Sequence, residues 1–592
     1  MMIKLMRRVR ARGEEGFAMV AVIAIGSVLT ILAVAGVAYT VGSLNKAGND
    51  QDYNAALAAA YAGVEEYQSL LANDPSYIRY GNAASSHTSY VDPAKPAEVS
   101  NVITPPTANP AFGLGTAGTW ASVPGSNGEA KYRYEVNNAK YYSEGTVTLR
   151  ATGKVGNSTR SIVADLKQSG FVDYVWFTDL ETSDPYNEAS VCARHFWDVP
   201  GRPYNTGTCS DIHFRNGDTF TGDVHSNDRM LIDCGVVIEG VVTTAYNPAT
   251  GNKYLGSGCT PTFLKGAPQY SGYIDIPPTN TEMKKETRTD LPTEVPNPGC
   301  LYTGPTSITF TDDGYMTVIS PYTKKTQVAG SPATSGTEAN TLCGAKGTGS
   351  GQLGNAGGAK VKVPANNLVY VQSVPSTTTD PNYTATTTSV TALGTCKGSD
   401  AFNAVGYPAT GEQVPAAINS VPSYGCRNGD VFVKGTLSGQ VTVASENYAY
   451  IVNDIVYKND QTDVLGLVGQ NAIYIYAPVK KNSNGTYTCI VVCDEDREVD
   501  AALLSVAHTI TVQNYTLSVG GHTFGDLKIT GSIAQKYRGI VIQNSGYLKD
   551  YKYDKRFKYT APPKFLTPAS TTYGVSTWVE INAVFKASGA YS

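Results

Sequence analysis

The sequence predicts an α+β chain that is mainly β: a long N-terminal transmembrane and stalk helix, then a large β-rich head, part β-solenoid, carrying a loop-rich insertion. Three observations lead there. Residues 17–41 form an uncharged apolar run, stretches beyond Lys131 alternate apolar and polar residues, and Gly, Asn or Asp separates many of those stretches. At 592 residues the chain exceeds what one compact core holds, so two or more domains are expected. Charged residues are 16%, against roughly 25% for an ordinary globular chain. The 59 Gly and 39 Tyr suit long β surfaces facing water, and 41% hydrophobic residues still allow a packed core. A wholly disordered chain, a coiled coil and a polytopic membrane protein are excluded. The formal charge of −4 divides unevenly. Residues 1–16 carry Lys4, Arg7, Arg8, Arg10 and Arg12 against Glu14 and Glu15, a local +3 that leaves −7 for the rest. A body of that balance is not built for general nucleic-acid binding, so nucleic acid is an unlikely partner.

The run Phe17–Val41, FAMVAVIAIGSVLTILAVAGVAYTV, has 25 residues without a charge. At ~1.5 Å per residue a helix of that length reaches roughly 37 Å, enough to cross a ~30 Å hydrocarbon core. The basic residues before it place residues 1–16 in the cytoplasm and the remainder outside. A secretory signal peptide, the competing reading, has a shorter apolar region that ends at a small-x-small site. Here the pattern continues instead: Leu57, Tyr61, Val64, Tyr67 and Leu71 recur at helical spacing in an Ala-rich stretch. One helix is therefore expected from Phe17 to about Ala72.

The leader ends Arg12-Gly13-Glu14-Glu15-Gly16, and Phe17 opens the apolar helix. This junction resembles the prepilin signal of type IV pilins and pseudopilins. The resemblance implies cleavage after Gly16 by a prepilin peptidase and N-methylation of Phe17. It also implies packing against other pilins through the N-terminal helix, with the pilus assembly machinery as a further partner. The chain would be single-pass in the cytoplasmic membrane with its N-terminus inside, then at the cell surface in a pilus. One position departs from the family pattern: most pilins carry Glu at the fifth residue after the cut, and this chain has Ala21. That makes Ala21 the expected determinant of where in a fibre the subunit sits. An ordinary single-span anchor stands beside this reading.

The expected divisions are a leader over 1–16, the transmembrane and stalk helix over 17–72, a pilin-like β-rich domain over 73–190, and a solenoid-like head over 191–592. Tyr132–Val136, Gly145–Gly153, Ser161–Leu166 and Phe171–Phe177 read as strands. Their order, with Arg160-Ser161-Ile162 and then Gly170-Phe171-Val172-Asp173-Tyr174, resembles large minor-pilin-like proteins with a PilX-type N-terminus. An echo, Asn216-Gly217-Asp218-Thr219-Phe220 and Asn428-Gly429-Asp430-Val431-Phe432, precedes Gly-punctuated short runs at Gly222, Gly235, Gly240, Gly435 and Gly439. That texture suits β-solenoid turns, with a plain β-sandwich as the alternative. Residues 245–425 are rich in Pro, Thr, Gly and Ser and read as a loop-rich insertion suited to a surface or glycan ligand.

All ten cysteines, Cys192, Cys209, Cys234, Cys259, Cys300, Cys343, Cys396, Cys426, Cys489 and Cys493, follow the apolar helix. An even number beyond a membrane segment favours disulfides. Spacing makes Cys192–Cys209, Cys234–Cys259 and Cys489–Cys493 the easiest pairs to close, and connectivity stays open. Cys192-x2-His195 stands alone as a zinc pattern, so neither metal nor cofactor is expected. No Gly-x-Ser-x-Gly, HExxH or P-loop motif occurs, and no enzymatic activity is expected. The alternative, a surface carbohydrate-active enzyme on a pilin-like anchor, would rest on Asp223, Asp228, Asp233 and Glu239. The acidic run 494–500 reads as a solvated turn rather than a calcium loop. The basic, Tyr-rich segment Tyr547–Lys564 reads as a closing strand or cap whose lysines blunt a sheet edge.

Overall fold

The structure is a computed structural model that describes residues 14–73, 77–78, 80–82, 84–87, 109–114, 119–140, 146–168, 170–185, 212–248, 251–256, 260–385, 405–415, 421–490, 493, 495–520, 523–558, 560–568 and 573–592. The long helix spans Glu14–Asn73, as the apolar run followed by an Ala-rich amphipathic stretch dictates. Ala56, Ala60, Val64, Tyr67 and Leu71 are fully buried. Their spacing of three and four puts them on one stripe. The stripe packs on a five-stranded antiparallel sheet ordered Ala121–Ser122, Ala130–Asn137, Thr146–Val155, Ser158–Gln168, Tyr573–Ile581. The contact is close because Gly153 lies under the helix: a Cβ there would stand 2.0 Å from the Ala56 carbonyl oxygen.

A much larger sheet of 21 strands is drawn from the described residues of 176–553. Ten of them form one ladder in the spatial order Gln269–Tyr270, Val242–Thr244, Val224–Ser226, Trp176–Leu180, Thr523–Tyr537, Arg497–Ser505, Val464–Gly469, Gln440–Ser445, Asn367–Gln372, Cys300–Thr303. Every neighbouring pair in it is parallel. The chain therefore begins this ladder in its middle, at Trp176. It runs outward to Tyr270, passes to the far end at Cys300, and returns to the middle at Thr523–Tyr537. One register row, Cys300, Val369, Val443, Leu467, Leu503, Ile533, Trp176, Val224 and Val242, is buried and forms the core. The adjacent row, Leu301, Tyr370, Ala444, Val468, Leu504, Ala534 and Phe177, faces the other way and clusters with Met283, Ile274 and Ile276 of the returning segment. Successive strands approach so closely that a Cβ on Gly240 would stand 2.1 Å from the Gly222 carbonyl oxygen.

Two boundaries differ from the sequence reading. Trp176–Leu180 belongs to the large ladder rather than to a first domain ending at 190, and Tyr573–Ile581 returns to the small sheet, antiparallel to Ser158–Gln168. The head is thus inserted between two adjacent strands of the small sheet, a pairing that local periodicity does not encode. Within 245–425, Thr306–Thr311 and Asn367–Gln372 pair in parallel with Val431–Leu437 and Gln440–Ser445, far along the chain, and Cys300–Thr303 pairs with Asn367–Gln372. The NGDxF echo leads into a strand in both places, but in opposite phase. Phe220 lies in the core cluster, whereas Phe432 faces outward into a second aromatic cluster.

Cys300–Cys343 and Cys489–Cys493 are bonded, and Cys234 and Cys426 are also in disulfides. No free cysteine occurs among the described residues. Cys192, Cys209, Cys259 and Cys396 lie outside the described residues, as does His195.

Candidate functional site

Among the described residues, nothing packs on the apolar half of the helix. The large apolar side chains between Val22 and Leu44 are exposed, from 50% at Val41 to 79% at Tyr39. Leaving that surface in water costs about 25 cal/mol for each Å². Three of its hydroxyls bond back to the helix: Ser27 Oγ donates to the Ile23 carbonyl at 2.7 Å, Thr30 Oγ1 to Gly26 at 2.7 Å, and Thr40 Oγ1 to Gly36 at 3.0 Å. A helix with its backbone and these hydroxyl groups internally satisfied suits hydrocarbon or the faces of other apolar helices. It is long and apolar enough to cross a membrane. Gly16 and Phe17 fall within its first residues. The surroundings of Gly16, Phe17 and Ala21 lie outside the described residues.

Where the helix meets the small sheet, Tyr134 Oη donates to Glu66 Oε2 at 2.7 Å, and Asn109 Nδ2 donates to Tyr134 Oη at 2.9 Å. Burial pushes the Glu66 carboxyl up and the Tyr132 phenol up to about 12. The exposed helix is thereby joined rigidly to the sheet that carries the head.

Polar pairs join the beginning of the head to its end. Arg538 Nη1 donates to Glu181 Oε2 at 2.5 Å, and its guanidinium lies 3.6 Å from the Phe214 ring centre. His508 Nδ1 and Asp184 Oδ2 are 3.0 Å apart, and both side chains are 1% exposed. Lys549 Nζ pairs with Asp218 Oδ2 at 2.9 Å, and burial lowers the pKa of that ammonium. Sequence reasoning missed Glu181, Asp184, His508 and Arg538. Their partners are 357 and 324 residues away, and no local pattern marks them.

The four acids weighed as a catalytic group do separate jobs. Asp228 is buried and accepts from the Glu181 and Arg229 backbone N–H groups. Asp223 accepts from Val241 N, Asp233 pairs with His213 Nδ1 at 2.8 Å, and Glu239 is exposed. Of the acidic run, Asp494 lies outside the described residues, and 497–500 is strand rather than turn. There Asp496 pairs with Lys528 at 2.6 Å and Asp500 accepts from Tyr457 N. Gly546–Tyr553 is also not an edge. It pairs in parallel with Thr523–Tyr537 on one side and Thr219–Thr221 on the other, burying Tyr547, Tyr551 and Tyr553.

No protein-family model matches the chain, and no curated protein does. Among solved structures, the chain is similar to the competence-associated pilin ComZ from Thermus thermophilus, at 10% identity and a TM-score of 0.25, over 90% of this chain and 98% of that one. A TM-score of that size carries no argument about this chain.

Proposed function

We propose that the protein is a minor-pilin or pseudopilin-like subunit of a type IV pilus or type II secretion-like filament, non-enzymatic, which displays a large head for filament initiation or adhesion. The observation that carries this reading is a helix with two halves. Residues 56–71 are committed to the small sheet, while residues 22–44 present an apolar surface with three internally satisfied hydroxyls. The Gly16–Phe17 junction after a basic leader stands at the start of that surface. A membrane holds such a helix before assembly, and neighbouring apolar helices hold it afterwards.

The parallel in-register rows are read as turns of a β-solenoid, with the chain entering and leaving at mid-length. A terminal position in the filament is inferred from Ala21. A subunit with Ala at this place offers no carboxylate to the terminal ammonium of a neighbour, and an unpaired charge in an apolar fibre core costs several kcal/mol (on the order of a buried ion).

Mass spectrometry of protein from the native envelope tests the reading. A mature N-terminus at N-methylated Phe17 is expected. An intact leader ending in Gly16 on the mature protein overturns it.

A further inference from the structure

A second set of parallel strands, Val431–Leu437, Ala449–Tyr457 and Ile473–Ile475, runs beside the ten-strand ladder, and on its face turned away from the core the register partners Phe432, Tyr450 and Tyr474 stack along successive strands. Ring centres are 4.7 and 5.4 Å apart, with planes within 5° and 19° of parallel. The column ends there, because the next register partner of Tyr474 is Thr511. A cavity of about 230 Å³ opens beside that last ring. Tyr474, Tyr487 and Tyr515 supply aromatic walls, and Gln413, Asn514 and Thr516 supply amide and hydroxyl groups.

The walls are held in place. Glu412 accepts from Tyr424 Oη at 2.6 Å, Tyr476 Oη at 2.8 Å and Gln513 Nε2 at 2.8 Å, and Gln413 N donates to the Val479 carbonyl at 2.7 Å. These bonds pin the 405–415 segment to the ladder. Asn514 sits in the left-handed region at φ 61°. Its Nδ2 donates to the Ala477 carbonyl at 3.0 Å, which orients the side-chain amide.

We infer that this cavity binds a single neutral sugar ring. The volume is that of roughly seven or eight waters at ~30 Å³ each, enough to seat one pyranose. Among the described residues no charged side chain lines it, so an ionic ligand would be desolvated without a counter-charge from them. A purely apolar ligand would strand the amide and hydroxyl groups. A pyranose meets both demands, with C–H faces for the tyrosine rings and hydroxyls for Gln413, Asn514 and Thr516. This gives the head a ligand class but does not depend on how the N-terminus is processed.

The test is saturation-transfer NMR on the full chain in detergent, with the methyl glycosides of glucose, galactose, mannose and N-acetylglucosamine at concentrations up to ~10 mM. At least one is expected to bind with a Kd on the order of 1 mM, typical for a ligand of this size. Tyr487→Ala, Asn514→Gly (which keeps the backbone conformation) and Thr516→Trp (which fills the opening) should each weaken binding at least tenfold without changing the melting temperature of the head. If none of the four glycosides binds, or if binding survives all three variants, the inference is overturned. A methylated Phe17 would still support the filament reading in either case, so the two proposals fail separately.

Discussion

Arg538 donates to Glu181 across 357 residues of chain, and both side chains are at most 1% exposed. This pair ties the ladder strand that begins the head, Trp176–Leu180, to Thr523–Tyr537, the last of the ten in chain order. Ile533 and Trp176 are register partners a few residues away. The contact between these two parallel strands, closed by the Arg538–Glu181 pair just past their C-terminal ends, is the seam of the head.

The seam carries the first prediction. Arg538→Met leaves a buried, uncompensated carboxylate and should destabilise the head by about 3–5 kcal/mol. Adding Glu181→Leu should recover most of that loss. Urea unfolding of the full chain in detergent measures both. If the double variant is as unstable as the single one, the cost does not come from the stranded charge.

Asp430 makes stability depend on pH. Burial pushes its carboxyl up to about 8, against hydrogen bonds from Asn447 Nδ2 at 2.5 Å and Tyr448 N at 3.3 Å that act the other way. Between about pH 4 and pH 8 the unfolded chain has lost a proton that the folded chain keeps, so this group's contribution is full below pH 4 and gone by about pH 8. The slope is at most about 1.4 kcal/mol per pH unit. Asp430→Asn, which mimics the protonated acid, should flatten the difference in melting temperature across that window. An unchanged pH profile in the variant rules this group out.

Gly153 sets how the helix meets the sheet. Its Cβ would stand 2.0 Å from Ala56 O and 2.3 Å from Ala60 N, both backbone atoms that cannot swing away. Gly153→Ala should therefore cost about 3 kcal/mol, near the upper end for overpacking. Hydrogen exchange should accelerate over residues 56–71. Gly272→Ala, where nothing lies within 4 Å, is the matched control and should change neither.

The proposed terminal position in a filament rests on Ala21 and the size of the head. Immunogold labelling of the head should mark filament ends. Even labelling along the shaft defeats the terminal placement, and labelling confined to the cell body favours a simple membrane anchor.

What the sequence determined by itself is whatever local periodicity and composition control. The uncharged run at 17–41, the stripe Val64–Tyr67–Leu71 and the alternation in 131–166 each repeat within a few residues, so helix, stalk and first strands are legible from the chain alone. Cys489–Cys493, a short loop to close, is legible for the same reason. Only the tertiary structure decided which strands pair. Tyr573–Ile581 returns to Ser158–Gln168, Trp176 meets Ile533, and the same NGDxF motif turns Phe220 inward and Phe432 outward. Side chains alternate with a period of two, so a one-residue change in register reverses which face is buried. That register is set by distant partners in parallel rows. The buried ion pairs at the seam and the cavity where the aromatic column stops at Thr511 both arise from rows that no local stretch of the chain contains.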